Sequence, residues 1–271
     1  MTDVDVRDET GDHAWLAEHI RDVITDAAPL VEQTTGLPLP GTVTYRLMHL
    51  KPWAQAAGAF YARMAERDTV GMTLTPMEQK QIAAFAQAGA MASRFNRIVI
   101  DSWTMTDSIG RAQTLIVPEA LRHQGALATP EALREQVVRA LTHQTQITAS
   151  NSTVVPPRIW PLEKSWWCRL ESLMDGHANW VCHEVVPHLP NRPATGFGLP
   201  KSRRYQIQSL IHRLTEPGTS KRKLQAERFV VYIATHSNLA LFNRVWTDPE
   251  WVPTLQELAR PHTWLGRVTG G

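Results

Sequence analysis

The sequence has little of what would tie it to an oxidising compartment, a membrane or nucleic acid. It holds only two cysteines, Cys168 and Cys182. Their surroundings read as one helix, and a separation of 14 residues spans about 21 Å at a rise of about 1.5 Å per residue. A disulfide needs Cα atoms within about 7 Å, so these two cannot bridge within the chain. No apolar run reaches the roughly 18 residues of a membrane span. Met1–Gly11 is acidic and polar, without the apolar segment of a secretory signal. A reduced, cytoplasmic protein with no membrane partner is therefore expected. Charge of one sign is also scarce: 28 Lys and Arg face 26 Asp and Glu, for a net charge of +2. The basic clusters, Lys221–Lys223 and Lys201, Arg203 and Arg204, lack the interleaved aromatics of a single-strand groove. They read as solvated helix ends, and no nucleic-acid partner is expected. A Walker loop, a dinucleotide-type glycine pattern and a nucleophile elbow are likewise missing.

What is present is an ordinary globular composition, 43% hydrophobic and 20% charged over 271 residues. Such a chain buries roughly three quarters of its unfolded surface and needs no disulfide or metal merely to fold. Residues 1–12 read as a disordered acidic arm, and residues 13–271 as a single domain. A helix starts at His13, its apolar face repeating through Trp15, Leu16, Ile20, Val23, Ile24 and Ala27, with Pro29 and Gly36 bracketing its end. Thr42–Leu50 alternates as a strand, and helices follow at Pro52–Glu66 and Pro76–Arg94. Arg97–Asp101 and Gln113–Val117 read as strands joined by the turn Thr106–Gly110, and Pro118 ends the second.

The best-signalled helix has Thr129 as N-cap, Pro130 in its first turn and a core stripe of Leu133, Val137 and Leu141 reaching Ser150. A proline-broken loop leads to a second long helix, Leu162 to Val186. Further helices read at Tyr205–Leu214 and Lys223–Ala234, and the tail carries tryptophan and proline anchors. The fold class is α+β and mainly helical, with a small β-sheet and two long helices in series.

A strand ending in proline, a capped helix, a loop and a second long helix form the scaffold of zinc peptidases that carry HExxH. There, two histidines at i and i+4 bind the metal and the glutamate takes a proton from metal-bound water. Val138–Ser150 (VRALTHQTQITAS) is similar to an HE-x-T-H-x-x-Q stretch, matched at Thr142, His143 and Gln146. Leu173–Val181 (LMDGHANWV) is similar to E-G-H-A-x-[WY], the segment that supplies a third ligand. The ending FNRVWTDPEWVPTLQELARPHTWLGRV is similar too. In these motifs, over roughly residues 95 to 268, the chain resembles a bacterial family of zincin-like metalloproteases, and the resemblance implies a zincin-like domain with both long helices at its active site.

The same resemblance implies that the metal chemistry is gone. Arg139 stands for the first histidine, Ala140 for the general base, His143 for the second histidine and Asp175 for the third-ligand glutamate. Asp is shorter than Glu by one C–C bond, roughly 1.5 Å, which zinc–oxygen bonds near 2.0–2.2 Å tolerate poorly. Arg139 also sets a permanent positive charge where a dication would sit, and an Arg139–Asp175 ion pair is one chemically sensible replacement. A second register takes His143 as the first histidine, with Gln144 and Ile147 in the other two places; it also lacks the base. His183-Glu184 begins like the motif, but His188 follows at i+5, near 140° further round a helix of 3.6 residues per turn.

The residues expected to act are thus His143, Asp175, His177 and Arg139, with no metal and no cofactor. Gln144 and the flanking Trp160, Trp166, Trp167 and Trp180 are expected to contact a small-molecule or peptide-like substrate, because aromatic walls with few polar anchors suit a bulky apolar ligand. Three functions remain open: metal-independent cyclase- or isomerase-type chemistry in the former protease cleft, a dead protease serving as a binding partner, and a zinc hydrolase with unusual ligands.

Overall fold

A computed structural model of the chain describes residues 2–95, 102–158, 164–191, 196–198, 200–203, 205–207, 210 and 218–270. Its sheet begins where the sequence reads as an acidic arm. Asp3–Asp8 form β1, which pairs in parallel with β2, Thr42–Leu47. Val4 and Val6 alternate with Asp3, Asp5 and Arg7, and the two valines face the core. The charged residues concealed a period of two, which is all an edge strand requires. Residues 3–8 are therefore part of the sheet rather than a disordered arm.

A hairpin turn falls where Thr106–Gly110 was expected, and it joins β4, Ala112–Ile116, to a strand that was not expected, β3, Ser102–Thr106. Its turn is tied by Asp107, whose carboxylate accepts from the backbone N–H of Ile109 and Arg111 at 2.9 Å each. β4 also pairs in parallel with β2, giving a sheet of order β1-β2-β4-β3. The strand expected at Arg97–Asp101 lies outside the described residues, as does most of the helix expected at Tyr205–Leu214.

The helices are α1 (Ala14–Thr35), α2 (Leu50–Thr69), α3 (Pro76–Phe95), α4 (Pro118–Gln124), α5 (Pro130–Ser150), α6 (Lys164–Val185) and α7 (Thr219–His236). Pro29 lies inside α1 rather than at its end. Ala27, Ala28 and Val31 are buried on either side of it, and that burial carries the helix past one missing hydrogen bond. Gly36, at φ 63°, closes it. α5 starts as its sequence dictates, with the Thr129 hydroxyl accepting from the Ala132 N–H. Cys168 and Cys182 both lie on α6, and both are free thiols.

The tail is docked. Short helices α8 (Leu239–Asn243), α9 (Leu255–Ala259) and α10 (Pro261–Thr269) follow. Thr254 and Glu257 form a capping box at the start of α9, and Glu257 accepts from Arg267 at 2.7 Å. Trp246 and Trp264 are fully buried. The fold is α+β and mainly helical, and its apolar interior falls into two clusters. One joins α1, α5, α6, α7 and the tail; the other joins α2 to the β3 side of the sheet through Trp53, Phe60, Met64 and Met105.

Candidate active site between α5, α6 and α7

One face of α5 repeats at helical spacing through Gln136, Arg139, Ala140, His143 and Ile147, and all five line a cavity of 490 Å³. α6 contributes Trp167, Glu171, Met174 and Asp175, and α7 contributes Lys223. Further lining comes from Phe60, Tyr61 and Met64 of α2 and from Trp103 and Met105 of β3. The register that places Arg139, Ala140 and His143 together sets all three on the cavity. Gln144 points instead to the sheet, donating to the Thr44 carbonyl and the Thr114 hydroxyl at 2.9 Å each.

The positions of α6 and α7 follow from a glycine. A Cβ on Gly176 would stand 2.5 Å from the backbone of Ala226 and Glu227, so only glycine lets the helices approach this closely. That approach brings Lys223 Nζ to 2.6 Å from Asp175 Oδ2. His143 Nε2 lies 3.5 Å from the other oxygen, Oδ1. Burial disfavours the Asp175 carboxylate, but His143 and Lys223 outweigh it and hold the group well below the usual carboxylate range. Burial likewise works against the Lys223 ammonium, and Asp175 outweighs it, so its pKa is raised.

Gln146 sets the protonation of two histidines. Its amide nitrogen donates to the Met174 carbonyl at 3.1 Å, an atom that can only accept. The same nitrogen faces His177 Nδ1 at 2.9 Å, so that ring atom accepts and His177 carries its proton on Nε2. The amide oxygen faces His143 Nδ1 at 2.9 Å, so His143 donates from Nδ1 and turns Nε2 toward Asp175. Neutral His143 thus offers a lone pair at Nε2, and protonated His143 faces a carboxylate.

Several expected site residues lie elsewhere. His177 is fully buried among Trp180, Phe242 and Trp246, and burial, with His143 adding to it, lowers its pKa to about 3. It is a core histidine without access to the cavity. Trp180 shares that core, and Trp166 packs beside the main cluster with Arg169 over its ring. Trp167 does line the cavity, and Trp160 lies outside the described residues. Arg139 does not pair with Asp175: it donates to Asn179 Oδ1, while the Asn179 amide donates to Glu227. His183 faces the same Glu227 at 3.3 Å, on the exposed end of α6.

Reading the motifs alone missed Lys223, Asn179, Tyr61 and Trp103. Lys223 sits in a basic run, yet with Ala226, Glu227 and Val230 it keeps the spacing of one inward face, and Gly176 within α6 signalled a close neighbour.

A zincin would hold zinc here, and these residues do not fit it. The imidazole of His143 remains, but Asp175 is neutralised by an ammonium and Arg139 fills the other ligand position. Among the described residues no group of three His, Cys, Asp or Glu side chains can hold a metal ion. No helix among them is long and apolar enough to cross a membrane.

Residues 129–265 match the zincin-like metallopeptidase model. That segment is half of the chain, and the chain belongs to the zincin-like metallopeptidase family. A crystal structure from Chloroflexus aurantiacus, provisionally described as a hydrolase with a novel fold, superposes with a TM-score of 0.57 at 16% identity, over 94% of this chain and 91% of that one. At that identity the likeness is one of fold. No curated protein matches the chain.

Proposed function

We propose that this chain is a zincin-fold protein turned to metal-independent chemistry, holding a small organic or peptide-like molecule in the former metal cleft. The observation that carries the reading is the open 490 Å³ cavity, which Arg139, Ala140, His143 and Asp175 line together with an aromatic wall. A volume in the range of about 300–1,000 Å³ is that of a small-molecule site. A binding partner without chemistry has no need of it, and would be favoured by a seam packed shut around an Arg139–Asp175 pair.

The chemistry these residues support is proton transfer, as in a cyclase or isomerase. His143 Nε2 takes a proton from a carbon beside a substrate carbonyl and returns it at another position, so no oxidant or reductant is needed. Gln146 holds the ring in the tautomer that leaves Nε2 available. Asp175, kept ionised by Lys223, stabilises the imidazolium formed in between. Arg139, on the same lining, polarises the carbonyl in this reading.

The reading is tested with a library of small organic acids, amides and ketones, screened by thermal shift against the wild type and an Ala140→Phe variant. Filling the cavity at Ala140 should abolish stabilisation by compounds that raise the wild-type Tm. A library that shifts both proteins alike, or neither, overturns it.

A further inference from the structure

The cavity lining carries two cations and two acids. Arg139 and Lys223 are both cationic, and Lys223 already has Asp175 at 2.6 Å. Glu171, the remaining acid on the lining, is exposed, and its charge bears on Lys223 and Tyr61. Arg139 spends one Nη1 hydrogen bond on Asn179 and makes no other hydrogen bond or ion pair among the described residues. A guanidinium is a planar fork of five N–H donors that matches a carboxylate through two parallel bonds. Asn179 is itself held by Glu227, so the fork is fixed before a ligand arrives.

The same cavity is lined by Phe60, Tyr61, Trp103 and Trp167, which belong to one cluster of rings. Trp103 and Tyr61 are stacked with ring centroids 5.2 Å apart. Phe85 meets Tyr61 at 4.8 Å and Trp167 at 5.8 Å, both edge-on. Phe60 braces Trp103 from behind at 5.2 Å. Rings locked by one another in this way present flat apolar surface at little entropic cost. Burial pushes the Tyr61 phenol up to about 12, so this wall adds no charge.

Resting on the reading above, we infer that the molecule this cavity takes is an aromatic carboxylate, its carboxylate received by Arg139 beside Lys223 and its ring laid against Tyr61, Trp103 and Trp167. Two sources share that chemistry: a free aromatic acid, and a peptide that ends in an aromatic residue.

The test is calorimetry with four probes: N-acetyl-phenylalanine, its uncharged amide, the peptide Gly-Gly-Gly-Phe and that peptide's amide. Both acids should bind about tenfold or more tightly than their amides, the difference expected of a charge-assisted bond. Arg139→Met should erase that ratio and Arg139→Lys should keep part of it, while Trp103→Leu should weaken all four probes and leave the ratio unchanged. A tighter peptide acid identifies a chain end, and a tighter acetylated amino acid identifies a free acid. If acids and amides bind alike and Arg139→Met changes nothing, the inference falls while the cavity remains a small-molecule site. If no probe binds the wild type better than Ala140→Phe, the inference falls, and the separate library screen decides whether the wider reading falls with it.

Discussion

Lys223 Nζ and His143 Nε2 approach Asp175 on opposite oxygens, at 2.6 Å and 3.5 Å. The carboxylate that would have completed a metal site is thereby shared between a permanent cation and a titratable ring. The relationship makes Asp175 the electrostatic pivot of the cleft.

Removing the cation exposes this directly. Lys223→Met should destabilise the protein by about 1–2 kcal/mol near neutral pH, below the range for a fully buried pair because the Lys223 side chain is 41% exposed. The folded-state pKa of Asp175 is depressed, so its contribution is present above its ordinary value of 3.8 and is lost as pH falls toward the folded value. Urea titrations of both proteins from pH 7 down to pH 3 should therefore show a constant gap that begins to narrow only below about pH 4. Coincident curves would show that the pair contributes nothing.

His177 predicts a second and separate window. Its pKa falls from 6.5 in the unfolded chain to about 3 in the core, so between those values the unfolded state binds more protons. Stability should rise with pH through that interval. His177→Phe should flatten the rise between about pH 4.5 and 6.5, above the region where the Asp175 contribution changes with pH. Equal slopes for wild type and variant would count against a neutral buried ring.

Two glycines should respond in opposite directions. Gly176→Ala forces a Cβ to 2.5 Å from the α7 backbone and should cost about 1–3 kcal/mol or more. Gly58→Ala, within α2, meets nothing within 4 Å and should stabilise by about 0.5–1 kcal/mol. Thermal melts of the two variants settle the matter, since a small effect at Gly176 would mean that α6 and α7 are free to part.

Zinc should be absent from tag-free protein analysed by elemental mass spectrometry, and casein should survive incubation with or without added zinc. Combining Arg139→His, Ala140→Glu, Asp175→Glu and Lys223→Ala restores a three-ligand set and removes the competing ammonium. That variant should retain zinc through gel filtration. One zinc per wild-type chain would overturn the fit argued from Arg139 and Lys223.

Much of the scaffold was legible because it rests on local rules. Thr129 and Pro130 announce α5, Gly36 stops α1, and Asp107 through Gly110 mark the hairpin. Arg139, Ala140, His143 and Asp175 were singled out through motifs that resemble those of the zincin-like family, and all four line one cavity. The rest depends on packing between distant segments. Whether Gln144 faces substrate or sheet is decided by Thr44 and Thr114, 100 and 30 residues upstream of it, partners that no window on α5 contains. His177 follows Asp175 by two positions, which on a helix turns it about 200° away and into the tryptophan core. Val4 and Val6 were masked by their acidic neighbours, since composition outweighed alternation over so short a strand.

The aromatic wall of the cavity belongs to the α2 cluster, whereas Ala140, Ile147 and Met174 belong to the main core. A molecule seated between them lies at the seam of two apolar interiors and touches both. Its binding energy is then also a term in their docking, so occupancy should tie two halves of the protein into a single cooperative unit. Such a ligand is, in effect, a removable piece of the hydrophobic core.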